Sequence, residues 1–236
     1  MTLNGNKSGD DDGGLNDGLD GGPTDPARLG ALRDELKRRD LDGFIQPRSD
    51  EHQGEYVARK SERLAWLTGF TGSAGLAVVL ADKAAVFADG RYTLQVEKEV
   101  DGGLFEHCHL TDKPPADWIV ANLAPGARLG FDPWLLTPDQ TARFQAACKK
   151  AGGELAACDG NPVDAVWTDQ PTAPLSPVVA HDAAFAGDSS NDKRRRIADG
   201  LKADKDGAVV LTAPDSIAWL LNVRSGDVPF TPLALS

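Results

Sequence analysis

The chain has 236 residues, 41% of them hydrophobic and 6% aromatic, enough for one large or two small globular units. Its net charge of -11 argues against a nucleic-acid partner, because phosphate binding needs a basic face. No apolar run approaches membrane-spanning length and no apolar signal segment opens the chain, so no membrane association and a cytoplasmic location are expected.

Five of the eleven net negative charges fall before residue 26. Residues 1–25 are rich in Gly, Asp and Asn, with almost nothing apolar to bury, and are expected to form a disordered acidic tail. Asp25 and Pro26 then cap and start a helix whose Leu29, Leu32 and Leu36 share a face. Gly43–Gln46 reads as the first strand, followed by a polar loop from Pro47 to Lys60, and Ser61 is expected to cap a short helix carrying Leu64 and Leu67.

The stretch from Trp66 to Gln95 forms the centre of the first unit. Gly69, Gly72 and Gly75 let the backbone turn sharply and lie close to a neighbour. Leu76–Leu80 and Ala84–Ala88, split by Ala81-Asp82-Lys83, read as a hairpin at the buried centre of a sheet. Asp89-Gly90 ends the second strand, which places Arg91 at a strand end, where open α/β sheets present functional side chains. Tyr92, Val96 and Val100 come next at helical spacing.

Further strands are expected around Leu104–Leu110, Ala127–Phe131 and Leu155–Cys158. The helices between and after them carry Trp118 and Ile119, open at Thr137-Pro138, and start at Asn161-Pro162. This alternation predicts an α/β sandwich. Gln170–Pro177, with three prolines, begins a linker over residues 170–192. Beyond it the pattern restarts: a helix from Lys193, Lys-Asp-Gly-Ala-Val-Val-Leu over 205–211 in the place of the first strand, then Ile217-Ala-Trp-Leu-Leu. The second unit stops at Ser236, inside the counterpart of Leu76–Leu80, so the sequence is expected to be the front part of a longer protein.

Four motifs in order carry a resemblance: Asp50-Glu-His-Gln-Gly-Glu-Tyr56, Arg63-Leu-Ala-Trp-Leu-Thr-Gly-Phe-Thr-Gly-Ser-Ala-Gly75, Asp89-Gly-Arg-Tyr-Thr-Leu-Gln95 and Asp215-Ser-Ile-Ala-Trp-Leu-Leu-Asn-Val-Arg224. From Pro26 onward the chain resembles the amino-terminal half of the aminopeptidase P (Xaa-Pro aminopeptidase) family. One departure is Arg224-Ser-Gly-Asp227, where the family commonly has Arg-Gly-Ser-Asp. The resemblance implies a creatinase N-terminal-like three-layer α/β domain with a mixed sheet over 26–169, and an incomplete second copy over 193–236. It implies a metal-dependent enzyme that removes the residue preceding proline, its two divalent ions, typically manganese, held in a carboxy-terminal pita-bread domain. No catalytic or metal-ligating residue is therefore assigned to this chain, which is expected to be inactive alone. The implied partners are a peptide with proline at its second position and a second copy of the protein.

Arg91 is the substrate contact the resemblance carries over; a guanidinium suits a peptide carboxylate or carbonyl, and pairing with Asp89 is the plainer alternative. His52 is a second candidate at the substrate entrance, although Asp50, Glu51, His52 and Glu55 read first as a solvated or hydrogen-bonded loop. The Gly69/Gly72/Gly75 spacing precedes a strand and so reads as close packing, not phosphate binding. His107-Cys108-His109 puts two imidazoles on one strand face without further ligands, Lys193–Arg196 reads as a solvated basic face, and Trp66 and Trp219 as core anchors. Two other readings remain at this point: a free-standing partner-binding module using the open edge after Leu233, and a thiol or metal hydrolase at His107–His109.

Overall fold

The computed structural model describes residues 24–235, and all but the last two positions of the expected tail lie outside the described residues. Those two belong to the fold. The buried Thr24 hydroxyl donates to the Thr68 carbonyl and accepts from the Asp101 N–H, both at 2.8 Å. Asp25 accepts the Ala27 N–H at 2.8 Å and so caps helix α1 (Pro26–Arg38), whose Leu29, Leu32 and Leu36 are buried.

Strand β1 (Gly43–Pro47) leads through the polar loop to a 3-10 turn (Arg59–Ser61) and helix α2 (Arg63–Thr68). Ser61 does not cap that helix. Its own N–H is used inside the turn, bonding the Ala58 carbonyl at 2.7 Å, and Glu62 takes the cap position without a side-chain bond. Strands β2 (Gly75–Leu80) and β3 (Ala84–Ala88) form the expected hairpin. Helix α3 (Thr93–Glu99), strand β4 (Glu106–His109), helix α4 (Pro115–Asn122) and strand β5 (Arg128–Phe131) come after it. Helix α5 (Pro138–Ala151) starts with a capping box between Thr137 and Gln140 and ends at the left-handed Gly152, before strand β6 (Glu154–Ala157) and helix α6 (Pro162–Val166).

The six strands form one mixed sheet in the order β4-β3-β2-β1-β5-β6. The pairs β1/β2 and β2/β3 are antiparallel, and β3/β4, β1/β5 and β5/β6 are parallel. Val78 lies opposite Ile45 on one side and Ala85 on the other, so the hairpin occupies the middle of the sheet. On one face Leu32, Leu64, Val96 and Val163 from the helices α1, α2, α3 and α6 pack on Phe44, Val79 and Val86. On the other, Trp118, Ile119, Phe144 and Cys148 of α4 and α5 cover Ile45, Val78 and Phe87. Burial on both faces explains why the central strands read as unbroken apolar runs.

Past α6 the pattern differs from the expected repeat. Strand β7 (Val179–Ala180) pairs antiparallel with β8 (Val223–Arg224), enclosing helices α7 (Ala183–Ala186), α8 (Ser190–Asp204) and α9 (Pro214–Leu221). Residues 207–211 are not a strand, and Val209 and Val210 are exposed. Among the described residues no strand lies beside them, so their backbone has no ladder to join. The basic run at the start of α8 is not uniformly solvated either. Lys193 is buried, its ammonium donating to the Trp219 carbonyl at 3.0 Å and to Asn222 Oδ1 at 2.6 Å. It also lies 4.7 Å from the Trp219 ring centroid.

Trp66 and Trp219 diverge as well. Trp66 is buried, with Trp167 stacked on it at 5.4 Å and the Arg28 guanidinium 5.2 Å away. Trp219 is 45% exposed, so it is not a core anchor; among the described residues no aromatic ring stacks on it.

Candidate functional site

Arg91 stands where β3 runs out. Asp89 caps a 3-10 turn (Gly90–Tyr92) by accepting the Arg91 N–H at 2.9 Å, and the same carboxylate takes the guanidinium edge, with Nε at 3.0 Å and Nη2 at 2.7 Å from Oδ2. The plainer pairing is therefore present. It engages one edge of the fork, and among the described residues Nη1 has no hydrogen-bond partner on a side chain that is 62% exposed. Asp89 holds the Arg91 pKa above its ordinary value, Tyr92 and Glu55 adding to it, and the Arg91 hydrogen bonds hold the Asp89 carboxyl below its own. The guanidinium carbon lies 5.2 Å from the Tyr92 ring centroid.

The turn is fixed from beneath by the glycine motif. Tyr92 shares a 2.7 Å hydrogen bond with the Ser73 hydroxyl and meets Phe70 edge-on at 5.7 Å. A Cβ on Gly72 would come within 2.3 Å of Phe70 Cζ and 2.9 Å of Tyr92 Cδ1, and one on Gly75 within 2.8 Å of the Phe87 carbonyl oxygen. These glycines serve close packing, as expected. Glu99 adds a second tie, accepting the N–H and hydroxyl of Thr71, each at 2.8 Å, while Gln95 donates to both side chains.

His52 lies in the loop built on Asp50. The buried Asp50 carboxylate accepts the N–H groups of His52 (3.1 Å) and Gly54 (3.4 Å) through Oδ1, and Gln53, at φ 55°, donates to the Asp50 and Leu135 carbonyls. The loop forms one wall of a cleft of about 440 Å³. The opposite wall comes from Ala213, Pro214, Asp215 and the segment from Val228 to Leu235, and Tyr56 meets Phe230 across it at 5.6 Å. Asp227 shapes that segment by accepting the N–H groups of Ser176 (2.9 Å) and Leu235 (3.0 Å). Burial raises the Asp227 pKa, and these bonds outweigh it, leaving the carboxyl below its ordinary value. The structure thus brings His52 into the same cleft as Asp215, 163 positions later in the chain, and sets Glu55 of the same loop near enough to influence Arg91.

The His107–His109 strand does not make a reactive centre. His107 Nε2 meets the Val100 carbonyl at 3.1 Å and His109 Nδ1 the Thr111 hydroxyl at 2.8 Å. Cys108 is buried, and its thiol is pushed up to about 11 by that burial, with Glu106 adding to it, which is the reverse of an activated nucleophile. Among the described residues no three His, Cys, Asp or Glu side chains stand close enough to share a metal ion.

Two features escaped the sequence reading. Arg63, 8% exposed, forms a bidentate pair with Asp164 (2.7 and 2.9 Å), joining α2 to α6 across 101 positions. The buried Arg48 pairs with Glu62 at 3.3 Å, and burial leads in raising the Glu62 pKa. Arg63 could have been noticed as a charge heading an otherwise apolar helix; nothing local in the sequence points to Asp164.

Models of the creatinase/prolidase N-terminal domain match residues 28–166 and again residues 169–236. The chain belongs to the creatinase/prolidase N-terminal domain family. Within that family it is 37% identical to Xaa-Pro aminopeptidase 2 of Sus scrofa over 89% of this chain and 32% of that protein. The figure for the Homo sapiens Xaa-Pro aminopeptidase 2 is 36%, over 88% of this chain and 31% of that one. The chain thus spans about a third of the length of the curated relatives it matches. A solved X-prolyl aminopeptidase from Caenorhabditis elegans, described as a cytosolic enzyme with a di-nuclear active site, superposes with a TM-score of 0.80 at 33% identity. That superposition covers 89% of this chain and 36% of the solved one. The described residues of this creatinase/prolidase N-terminal domain chain do not fit a di-nuclear centre, since they supply no cluster of three ligands. Among them, no helix is long and apolar enough to cross a membrane.

Proposed function

We propose that the chain acts as the N-terminal, non-catalytic portion of a cytosolic, metal-dependent Xaa-Pro aminopeptidase, narrowing the path of peptides to the active site and taking part in a homodimer. The observation that carries this reading is the likeness to the Caenorhabditis elegans aminopeptidase, which runs through both units of this chain while covering 36% of that enzyme. The two metal ions, typically manganese in this class, would generate hydroxide and polarise the scissile carbonyl in the part of such an enzyme that this chain does not span.

In this reading the domain recognises substrate and leaves bond cleavage to the metal centre. Arg91, held by Asp89 on the Tyr92 turn, keeps an Nη1 group outside that pairing that suits a peptide carbonyl or carboxylate. His52 stands on the loop whose Glu55 acts electrostatically on Arg91. Replacing Arg91 with Ala in the complete gene product tests this. The expected result is KM for an Xaa-Pro peptide raised about tenfold with kcat nearly unchanged, the mark of lost ground-state binding. Unchanged KM would remove Arg91 from the site.

A further inference from the structure

His109 stands against the turn that presents Arg91. The parallel pairing of β3 and β4 sets it opposite Ala88, the residue before Asp89, and a Cβ on Gly90 would come within 3.3 Å of its Nε2. The other side of the ring fixes its tautomer. Nδ1 faces the Thr111 backbone N–H at 3.3 Å, a group that only donates, so the neutral imidazole carries its hydrogen on Nε2. Among the described residues that Nε2–H has no hydrogen-bond partner, and the ring lines a recess of about 170 Å³ with Asp89, Thr93, Glu97 and His107.

Asp89 links the ring to Arg91. Its carboxylate takes the Arg91 N–H, Nε and Nη2; those bonds lead in holding its pKa below the ordinary value, and His109 adds to them. The remaining charged groups around the imidazole are Arg91 beyond Asp89, Glu97 of α3, and Asp112, whose Oδ2 lies 3.7 Å from Nδ1. Lys113, next in the chain, is tied to Glu106. A proton taken from solvent at Nδ1 ends its acceptance from the Thr111 N–H. Nδ1–H then donates to the Thr111 hydroxyl at 2.8 Å, and that hydroxyl to Asp112 Oδ1 at 3.3 Å, so the ring keeps its place while gaining a full positive charge. We propose that His109 is a positioning residue for Arg91: once protonated it draws the Asp89 carboxylate toward β4, loosening the guanidinium so that Nη2 as well as Nη1 is offered to a peptide carbonyl or carboxylate. Its value to substrate binding rests on the function proposed above; the coupling of His109 to Arg91 does not. The His109 side chain is 31% exposed, so solvent screens its charge and the effect on binding is about threefold.

The test follows the His109 ring and Arg91 Nε–H signals of the 236-residue chain by NMR between about pH 5 and 8, where histidines commonly titrate. The Arg91 signal is expected to shift with the His109 midpoint and to stay flat in His109→Gln, which keeps a neutral donor in place of Nε2–H. In the complete gene product, KM for an Xaa-Pro peptide is expected to lie about threefold below that of His109→Gln on the acid side of the midpoint and to equal it on the other, with the same kcat. His109→Lys, a permanent cation, should keep the low KM throughout. An Arg91 signal that ignores pH, or follows a different midpoint, would overturn the coupling without any variant having to fold, and would leave the aminopeptidase reading intact. A KM ratio that does not change with pH would overturn the positioning role. Inactivity of the complete gene product on Xaa-Pro peptides, with the Arg91 shift retained, would instead sink the aminopeptidase reading and spare the coupling.

Discussion

Asp164→Ala should destabilise the protein more than Arg63→Met, although both break the same ion pair. Arg63 is 8% exposed and Asp164 30% exposed, and the pair closes at 2.7 and 2.9 Å. Burial works against the Arg63 charge, and Asp164 more than compensates, leaving the guanidinium pKa above its ordinary value. Arg63 Nη1 already lacks a partner, so removing Asp164 strands the rest of a buried fork. Breaking one side of a buried pair costs roughly 3–5 kcal/mol, and the partial exposure of Asp164 places this case at the low end, about 3 kcal/mol. Arg63→Met leaves a carboxylate that water reaches and that Gln170 still contacts at 2.6 Å, so its cost is about 1 kcal/mol. The double variant should cost less than the two single costs combined. With a urea slope of about 2 kcal/mol/M, Asp164→Ala lowers the unfolding midpoint by about 1.5 M and Arg63→Met by about 0.5 M. Equal shifts, or strict additivity in the double variant, would show that the buried guanidinium is not the costly partner.

Gly72→Ala should cost about 1–3 kcal/mol, because its new methyl meets Phe70 and Tyr92 at distances no side chain tolerates; a thermal unfolding midpoint equal to that of the parent protein would contradict the packing role. Burial pushes both the Cys108 and Cys148 thiols up to about 11, so in native protein these two thiols, unlike the partly exposed Cys158, should resist iodoacetamide at about pH 8 and react in concentrated guanidinium chloride. Because the fold favours the neutral thiols, their contribution to stability is full below the unfolded thiol pKa of about 8.5 and is lost as pH rises toward about 11. Denaturant midpoints that stay flat across that alkaline window would count against it.

Much of the first unit was legible because its signals are local. The hairpin announced itself through two short apolar runs split by Ala81-Asp82-Lys83, and α5 through Thr137, Pro138 and Gly152. Ser61 misled because a 3-10 turn consumed its backbone before the helix began. Lys193 sits at helical spacing from Ile197 and Leu201, a register that marks an inward face, but charge composition masked it. The expected strand within 205–211 failed for the opposite reason: a strand is defined by its neighbour, and none of those described lies alongside. Arg91 was placed by its motif, whereas the meeting of the His52 loop with Asp215 depends on how 228–235 folds back, which no spacing records.

The most direct measurement is hydrolysis of an Xaa-Pro peptide by the 236-residue chain in the presence of manganese, beside the product of the complete gene. Release of the amino-terminal residue is expected from the complete product and none from the chain. Metal-dependent release by the chain itself would contradict a non-catalytic role.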